Sequence, residues 1–386
     1  MENVVITGAG VFSALGNSID ELWNSIRNSY SGIERKYFSD CVGEVLCAPI
    51  KKIVSYEQCI YDAVKEALDT TDIRDRSKRW GLIVGTAAGE MPELEKIMTC
   101  EYQEKQNNDK SEYVSIYPYH GIAEKIKKRF ELNFVYSLTI SAACASSNIA
   151  ILHACQLLKD YIVDKVIVVG VDFLSDYDFL GFRSLGIMSD SAIRPFDVNR
   201  SGIVLGEACA ALVLERDNDI HNTGHWKKVE IVGGAISNEA YNLATPDPDA
   251  KGAVLSMEKA MYRSGITASK IDYINAHGTG TKLNDLMEAK AIHKVFGEKA
   301  SIIPISSSKS MTGHTRGASG AIEAIICILA LQYQIIPATI NHLDDDPEIN
   351  INCVANQAKE AKLKYVMSNS FGFGGHCASI IFLGGD

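Results

Sequence analysis

Hydrophobic residues along this chain collect in short unbroken runs. "NVVITGAG" (3–10), "WGLIVGTAAG" (80–89), "SLTISAACASS" (137–147), "KVIVVGVDF" (165–173) and "CAALVLE" (209–215) are rich in β-branched residues, and most end in small or turn-forming ones, as strands do. Stretches with helical spacing, such as "YDAVKEALDT" (61–70), separate many of them, so an α/β protein is expected. "VIVV" and "SIIF" do not alternate with polar residues, which predicts sheets covered on both faces. "AIEAIICILAL" (321–331) is apolar nearly all round and predicts a central helix.

A similar order of elements then returns: "VEIVGGAISN" (229–238), "DYINAHGTGT" (272–281), "IPISSSKSMTGHTRGASGAIEAIICILA" (303–330), "VMSNSFGFGG" (366–375) and "CASIIFLG" (377–384). The chain therefore reads as two copies of one βα design, residues 1–220 and 221–386. The joint is expected near "ERDNDIHNTGHWKK" (215–228), where polar turn formers replace apolar periodicity.

At 386 residues the chain exceeds what one simple core supports. Its 46% hydrophobic and 22% charged residues suit a globular enzyme, and a net charge of −10 leaves no broad basic surface for nucleic acid. Local basic runs exist at "RDRSKRW" (74–80) and "EKIKKRF" (124–130). No stretch reaches about 18 uncharged apolar residues and the N-terminus lacks a basic, apolar leader, so neither a membrane span nor secretion is expected. Ten cysteines without a CxxC pair suit reduced thiols in the cytoplasm. Cysteine and histidine never take the paired spacings of structural zinc, so no metal is expected.

Four stretches carry candidate chemistry. In "SLTISAACASS" a strand gives way abruptly to a helix at Cys144, where a helix N-terminus favours a thiolate, although taken alone the residue is better explained as a small buried thiol. "NAHGTGTKLND" (275–285) sets His277 at a strand end, followed by glycines and by Thr279 and Thr281, whose hydroxyls suit an extended amide-bearing substrate. In "SSSKSMTGHTRGASGAIEA" (306–324), His314 precedes a helix, which favours a neutral imidazole that donates to an oxyanion, and Lys309 and Glu323 suit a semi-buried pair that orients it. "NSFGFGGHCAS" (369–379) is a glycine-rich loop, one of whose amides can join that of Cys144 in an oxyanion hole, while Phe371 and Phe373 can equally be core filler. Each signal is weak alone, but together they imply four strand ends converging on one pocket.

These stretches, with "ITGAGVFSALGNS" (6–18) and "RPFDVNRSGIVLGEACAALVLE" (194–215), resemble the β-ketoacyl-acyl carrier protein synthases of the elongating, decarboxylating type over nearly the whole chain. The resemblance implies a thiolase-like fold of five layers, αβαβα, from two similar halves, usually dimeric. It implies that Cys144 carries the acyl chain as a thioester, with its own amide and that of Phe373 holding the thioester oxygen. His277 and His314 would stabilise the enolate left when carbon dioxide departs from malonyl-acyl carrier protein, supported by Lys309 and Glu323. Thr279, Thr281 and Phe371 would contact the substrate, and Phe373 would gate access. No cofactor is bound; the carrier's phosphopantetheine arm brings the substrate. The implied partners are the acyl carrier protein, docked on Arg76, Lys78 and Arg79, and a second ketosynthase-like chain, identical or paralogous.

Three positions depart from the family pattern: Cys377 stands where a polar residue such as Asn is usual, Ser201 where an acidic residue is common, and Ala244 replaces a usual threonine. They point towards a specialised acyl chain such as a polyketide or polyene intermediate. Rival readings are a non-catalytic partner subunit, a nucleotide-binding oxidoreductase suggested by "ITGAG", and a thiolase with Cys377 as its second cysteine. The oxidoreductase lacks the third glycine and the distal acidic residue of its fingerprint.

Overall fold

The computed structural model describes residues 3–51, 55–75, 77–103, 119–217 and 228–385, with the backbone alone at 99–103. In the first half, the strands of its main sheet are β1 (Val4–Ser13), β2 (Trp80–Gly85), β3 (Phe134–Ile140), β4 (Lys165–Asp172) and β5 (Ala208–Arg216). The second half adds β6 (Val229–Asn238), β7 (Tyr273–Asn275), β8 (Pro304–Ser306), β9 (Asn352–Cys353), β10 (Tyr365–Gly372) and β11 (His376–Gly384). Helices that matter for the site are α1 (Tyr56–Asp69), α2 (Ser146–Lys159), α3 (Asp176–Ser184), α4 (Lys251–Ser264), α5 (Lys282–Phe296) and α6 (Ser319–Tyr333).

The expected repeat is visible in the pairing. From the centre outward the first half runs β1, β5, β4, β2, β3, and the second runs β6, β11, β10, β7, β8, with β9 added at its edge. In both, the first two neighbour pairs are antiparallel and the next two parallel. The halves meet where β1 pairs β6 at Val4↔Ile231 and Val5↔Glu230. The boundary at 220/221 lies outside the described residues.

Alternate side chains of each strand enter different cores, which explains the unbroken apolar runs. In β4, Val166 and Val168 pack with α2 and α6, whereas Ile167 and Val169 pack against Ile60, Ala63 and Val64 of α1. In the second half Val366 faces the same central pair of helices, and Met367 faces the core that holds Ala253 of α4 and Ala289 of α5. The layers are thus α1, sheet, α2 with α6, sheet, and α4 with α5. Helix α6 is buried continuously from Ser319 to Leu331, which is why its sequence lacks a polar face.

"ITGAG" is not a phosphate loop. The strand runs through it to Ser13, and a Cβ on Gly8 or Gly10 would stand 1.9 Å from the Ala67 carbonyl oxygen or 2.1 Å from that of Ala63. These glycines let α1 lie directly on β1. Among the described residues no helix is long and apolar enough to cross a membrane.

Candidate active site

The site lies where chain leaves the carboxyl ends of β3, β7, β8 and β10, the edge at which α/β sheets present loop residues. After β3 the backbone turns at Ala143, whose φ of +49° is unusual for a residue with a Cβ, and helix α2 begins three residues later. Ser146 secures the turn: its hydroxyl accepts from the Ala142 amide at 2.8 Å and donates to the Ala143 carbonyl at 2.6 Å. Cys144 sits at this bend, 6% exposed. Two effects compete for its proton. Burial pushes the thiol up to about 12, while Lys309 pulls it down. A rise of that size is on the order of 4 kcal/mol, whereas a helix N-terminus contributes about 1 kcal/mol and at most about 2. Burial wins, so the resting sulfur is a neutral thiol. The dipole alone does not make the thiolate expected from the sequence.

His314 Nε2 lies 3.0 Å from Cys144 Sγ. Its Nδ1 accepts from the Arg316 amide at 3.2 Å. A backbone N–H can only donate, so the neutral ring keeps its proton on Nε2, facing the sulfur. His277 meets His314 edge to face with ring centroids 5.4 Å apart. Ligand atoms of Cys144, His277 and His314 all lie within 4.8 Å of one another. Both imidazoles are held well below the ordinary histidine value, by burial first and then by Lys309. Both rings are therefore neutral.

Lys309 and Glu323 form a fully buried ion pair beside the histidines, with the carboxyl raised to about 7 by burial against the lysine's pull. Behind it, Glu323 Oε2, Asn275 Oδ1 and Ser368 Oγ are buried without a hydrogen-bond partner among the described residues. Acceptors of this kind are ordinarily satisfied by ordered water. Among the described residues, the single cluster close enough to ligate a metal is Cys144 with the two histidines themselves.

Two carboxylates that motif reading missed shape the histidine loop. Glu288 of α5, fully buried and raised to about 7 by burial, accepts the amides of His277 at 2.9 Å and Gly278 at 2.8 Å. Asp285, one turn earlier, accepts those of Phe196 at 2.8 Å and Gly280 at 3.2 Å. Their signal in the sequence is an acidic residue on an otherwise apolar face of "NDLMEAKAI".

A cavity of about 350 Å³ opens over the triad. Thr279 and Thr281 line it with their hydroxyls 3.0 Å apart. Phe371 also lines it and meets His277 edge to face at 6.0 Å. Phe373 stacks on Phe182 of α3 at 5.9 Å, an aromatic partner that no motif announced. Gly372 permits a close approach: a Cβ there would stand 3.0 Å from both the Cys144 amide nitrogen and the Ala142 carbonyl oxygen. Not every amide of the glycine loop points inward, since Gly374 N donates to the Leu243 carbonyl at 2.7 Å.

The basic run behaves otherwise than expected. Arg76 lies outside the described residues. Lys78 and Arg79 precede β2, whose far end, Gly85, abuts Ser146 and Ser147 at the nucleophile turn. Six residue steps put Arg79 about 20 Å from that end, and Arg79 is committed to Asp164 by two side-chain hydrogen bonds of 3.1 and 2.9 Å. Neither residue lines the cavity. Cys377 is likewise remote from the chemistry: it packs under the loop with Sγ 3.6 Å from the Gly375 carbonyl and takes no part in the triad. That removes the second sulfur a thiolase needs. Ser201 and Ala244 both line the cavity, and Ser201 Oγ is 2.7 Å from Ser189 Oγ.

A nucleophilic sulfur, two neutral imidazole donors and a narrow cavity on a duplicated five-layer fold define a thioester-handling acyltransferase. Residues 48–220 match the β-ketoacyl synthase N-terminal domain and 229–343 its C-terminal domain. The chain is 31% identical to 3-oxoacyl-[acyl-carrier-protein] synthase 2 of Coxiella burnetii (strain RSA 493 / Nine Mile phase I), covering 98% of this chain and 97% of that protein. It is 30% identical to the synthase of the same name from Vibrio harveyi, over 98% of each. Among solved structures, a type II polyketide acyl carrier protein in complex with its ketosynthase bound to the hexaketide superposes with a TM-score of 0.91, at 27% identity and full coverage of both chains. The ishigamide ketosynthase/chain length factor matches equally, with a TM-score of 0.91, 27% identity and full coverage of both. The chain belongs to the β-ketoacyl synthase family.

Proposed function

We propose that this protein is an elongating 3-oxoacyl-acyl carrier protein synthase that condenses an acyl group on Cys144 with malonyl-acyl carrier protein. The observation that carries this reading is the meeting of the Cys144 sulfur with a His314 Nε2–H and with His277 inside 4.8 Å. Cys144 sulfur attacks the acyl thioester, and its proton leaves with the departing carrier thiol. The malonyl thioester then sheds carbon dioxide; the electron pair moves onto the thioester oxygen, where the N–H groups of His277 and His314 hold the enolate. The α-carbon attacks the acyl-cysteine carbonyl, and the amides of Cys144 and Phe373 receive the tetrahedral oxyanion. Collapse releases 3-oxoacyl-acyl carrier protein, and Cys144 regains a proton from solvent. Every electron comes from the breaking C–C bond, so the steps call on no bound cofactor, and the phosphopantetheine arm, passing Thr279, Thr281 and Phe371 under the Phe373 gate, brings each substrate. Lys309 helps burial keep both imidazoles neutral, and Glu323 holds Lys309 in place.

A second reading concerns assembly. The chain pairs either with itself or with a non-catalytic ketosynthase-like partner in a polyketide or polyene system. Solved ketosynthase/chain length factor pairs at 27% identity and the neutral Ser201 and Ala244 on the cavity wall support the latter. All nine described cysteines are unpaired, which supports a reducing cytoplasmic setting.

The test is covalent labelling from radiolabelled acyl-acyl carrier protein. We expect one acyl group per chain, lost in Cys144→Ala, with His314→Ala still acylated but impaired about 10²–10³-fold in condensation through loss of an oxyanion donor. Label that survives in Cys144→Ala, or no label with any donor, overturns the reading.

A further inference from the structure

Arg316 is a charged residue with 1% exposure, placed between His314 and the start of α6. Its φ is +52°, a conformation that suits glycine and burdens any residue with a Cβ. Such backbone persists only where the surroundings hold it, and here one hydrogen bond and one ion pair hold the side chain, while Nε and Nη1 have no hydrogen-bond partner among the described residues. Nη2 donates to the Phe173 carbonyl at 2.8 Å, and Nε lies 3.5 Å from Asp178 Oδ1 in the first turn of α3. The next amide, Gly317 N, donates to the fully buried Asp172 Oδ2 at 2.7 Å. Held this way, Arg316 turns its own N–H onto His314 Nδ1 at 3.2 Å, beside Ser319 Oγ, which lies 3.1 Å from the same nitrogen. A buried guanidinium is poor value for stability alone, and this one has a consequence at the reaction centre.

We propose that the Arg316 side chain is a positioning residue: anchored on Phe173 and Asp178, it locks residue 316 in the left-handed conformation that aims its amide at His314 Nδ1 and so keeps the reacting proton on Nε2. The proposal rests on the reading of His314 as an Nε2–H donor. It also ties the histidine turn to α3, the helix whose Phe182 stacks on the gate residue Phe373.

The experiment compares wild type with Arg316→Leu/Asp178→Asn and Arg316→Gly/Asp178→Asn. Both double variants remove the anchor and its paired carboxylate together, so they differ in backbone freedom and in the side-chain volume left at 316. The readouts are the ¹⁵N shifts of His314 in histidine-labelled protein and the separate kcat and KM for malonyl-acyl carrier protein. Wild type should show a bare Nδ1 and a protonated Nε2. In the leucine variant a population protonated on Nδ1 should appear, and kcat should fall about tenfold or more with KM within about twofold, as expected when a catalytic imidazole takes the wrong tautomer. Glycine, free to adopt positive φ without an anchor, should recover part of both. The proposal is overturned if the leucine variant keeps the wild-type tautomer and kcat, or if glycine is as impaired as leucine. Should the leucine variant not fold, the glycine variant decides: a tautomer ratio between wild type and complete loss of preference supports the anchor, and an unchanged ratio with unchanged kcat removes it. A wild-type His314 found protonated on Nδ1 would instead refute the underlying reading of the histidine.

Discussion

Cys144 shows how a local rule and its surroundings can disagree. A turn at a helix N-terminus lowers a thiol when the sulfur is wet, but here the sulfur is 6% exposed and desolvation dominates. The expected outcome is an alkylation rate with iodoacetamide that keeps rising about tenfold per pH unit through pH 9, because the thiolate fraction grows until the thiol's raised value is reached. A plateau near neutrality would show that the helix end and Lys309 prevail over burial. Cys144, His277, His314, Lys309 and Glu323 were all legible as candidates, since each stands in a strand-end motif with unusual neighbours. Glu288, Asp285 and Phe182 were not. Their work depends on a helix face or a loop folding back onto them, and nothing in a linear motif announces which buried acid will meet which amide.

At the level of single elements, the nucleophile turn and α6 illustrate two ways in which sequence becomes structure. Helix α6 needs no amphipathic signal because both halves of the main sheet cover it, so its apolar composition alone predicted its place. The turn at Ala143 is harder to foresee, because alanine disfavours φ of +49° and only the strand before it and the helix after it enforce that geometry. Replacing Ala143 with glycine should relieve the strain and raise unfolding free energy by about 0.5–1 kcal/mol, while slowing acylation because the sulfur is held less firmly. Denaturant unfolding and the rate of acyl-enzyme formation check the two halves of this prediction. A loss of stability in Ala143→Gly would mean that the turn carries no strain.

For the molecule as a whole, the sheet ends at β3, which pairs β2 on one side and nothing among the described residues on the other. An edge strand with half-buried side chains, and with Ser137 Oγ and Thr139 Oγ1 buried and unpartnered, is an open template for a second chain. If β3 is the association edge, Val135→Lys with Ser137→Lys, two residues on one strand face, should shift sedimentation from dimer towards monomer; an unchanged dimer would place the interface elsewhere. The position of the basic run belongs to this scale too. Lys78 and Arg79 look available in the sequence, yet β2 carries them to the edge opposite the cavity, and no local pattern records which end of a strand will face a site. Apolar periodicity and the order of motifs determined the layers, the repeat and the identities of the reacting groups, because those follow from which residues avoid water and from chemistry carried by single side chains. The tertiary structure alone decided the protonation of the thiol, the tautomer of His314 and the location of each patch, because desolvation, hydrogen-bond direction and strand polarity arise only when distant segments are packed together.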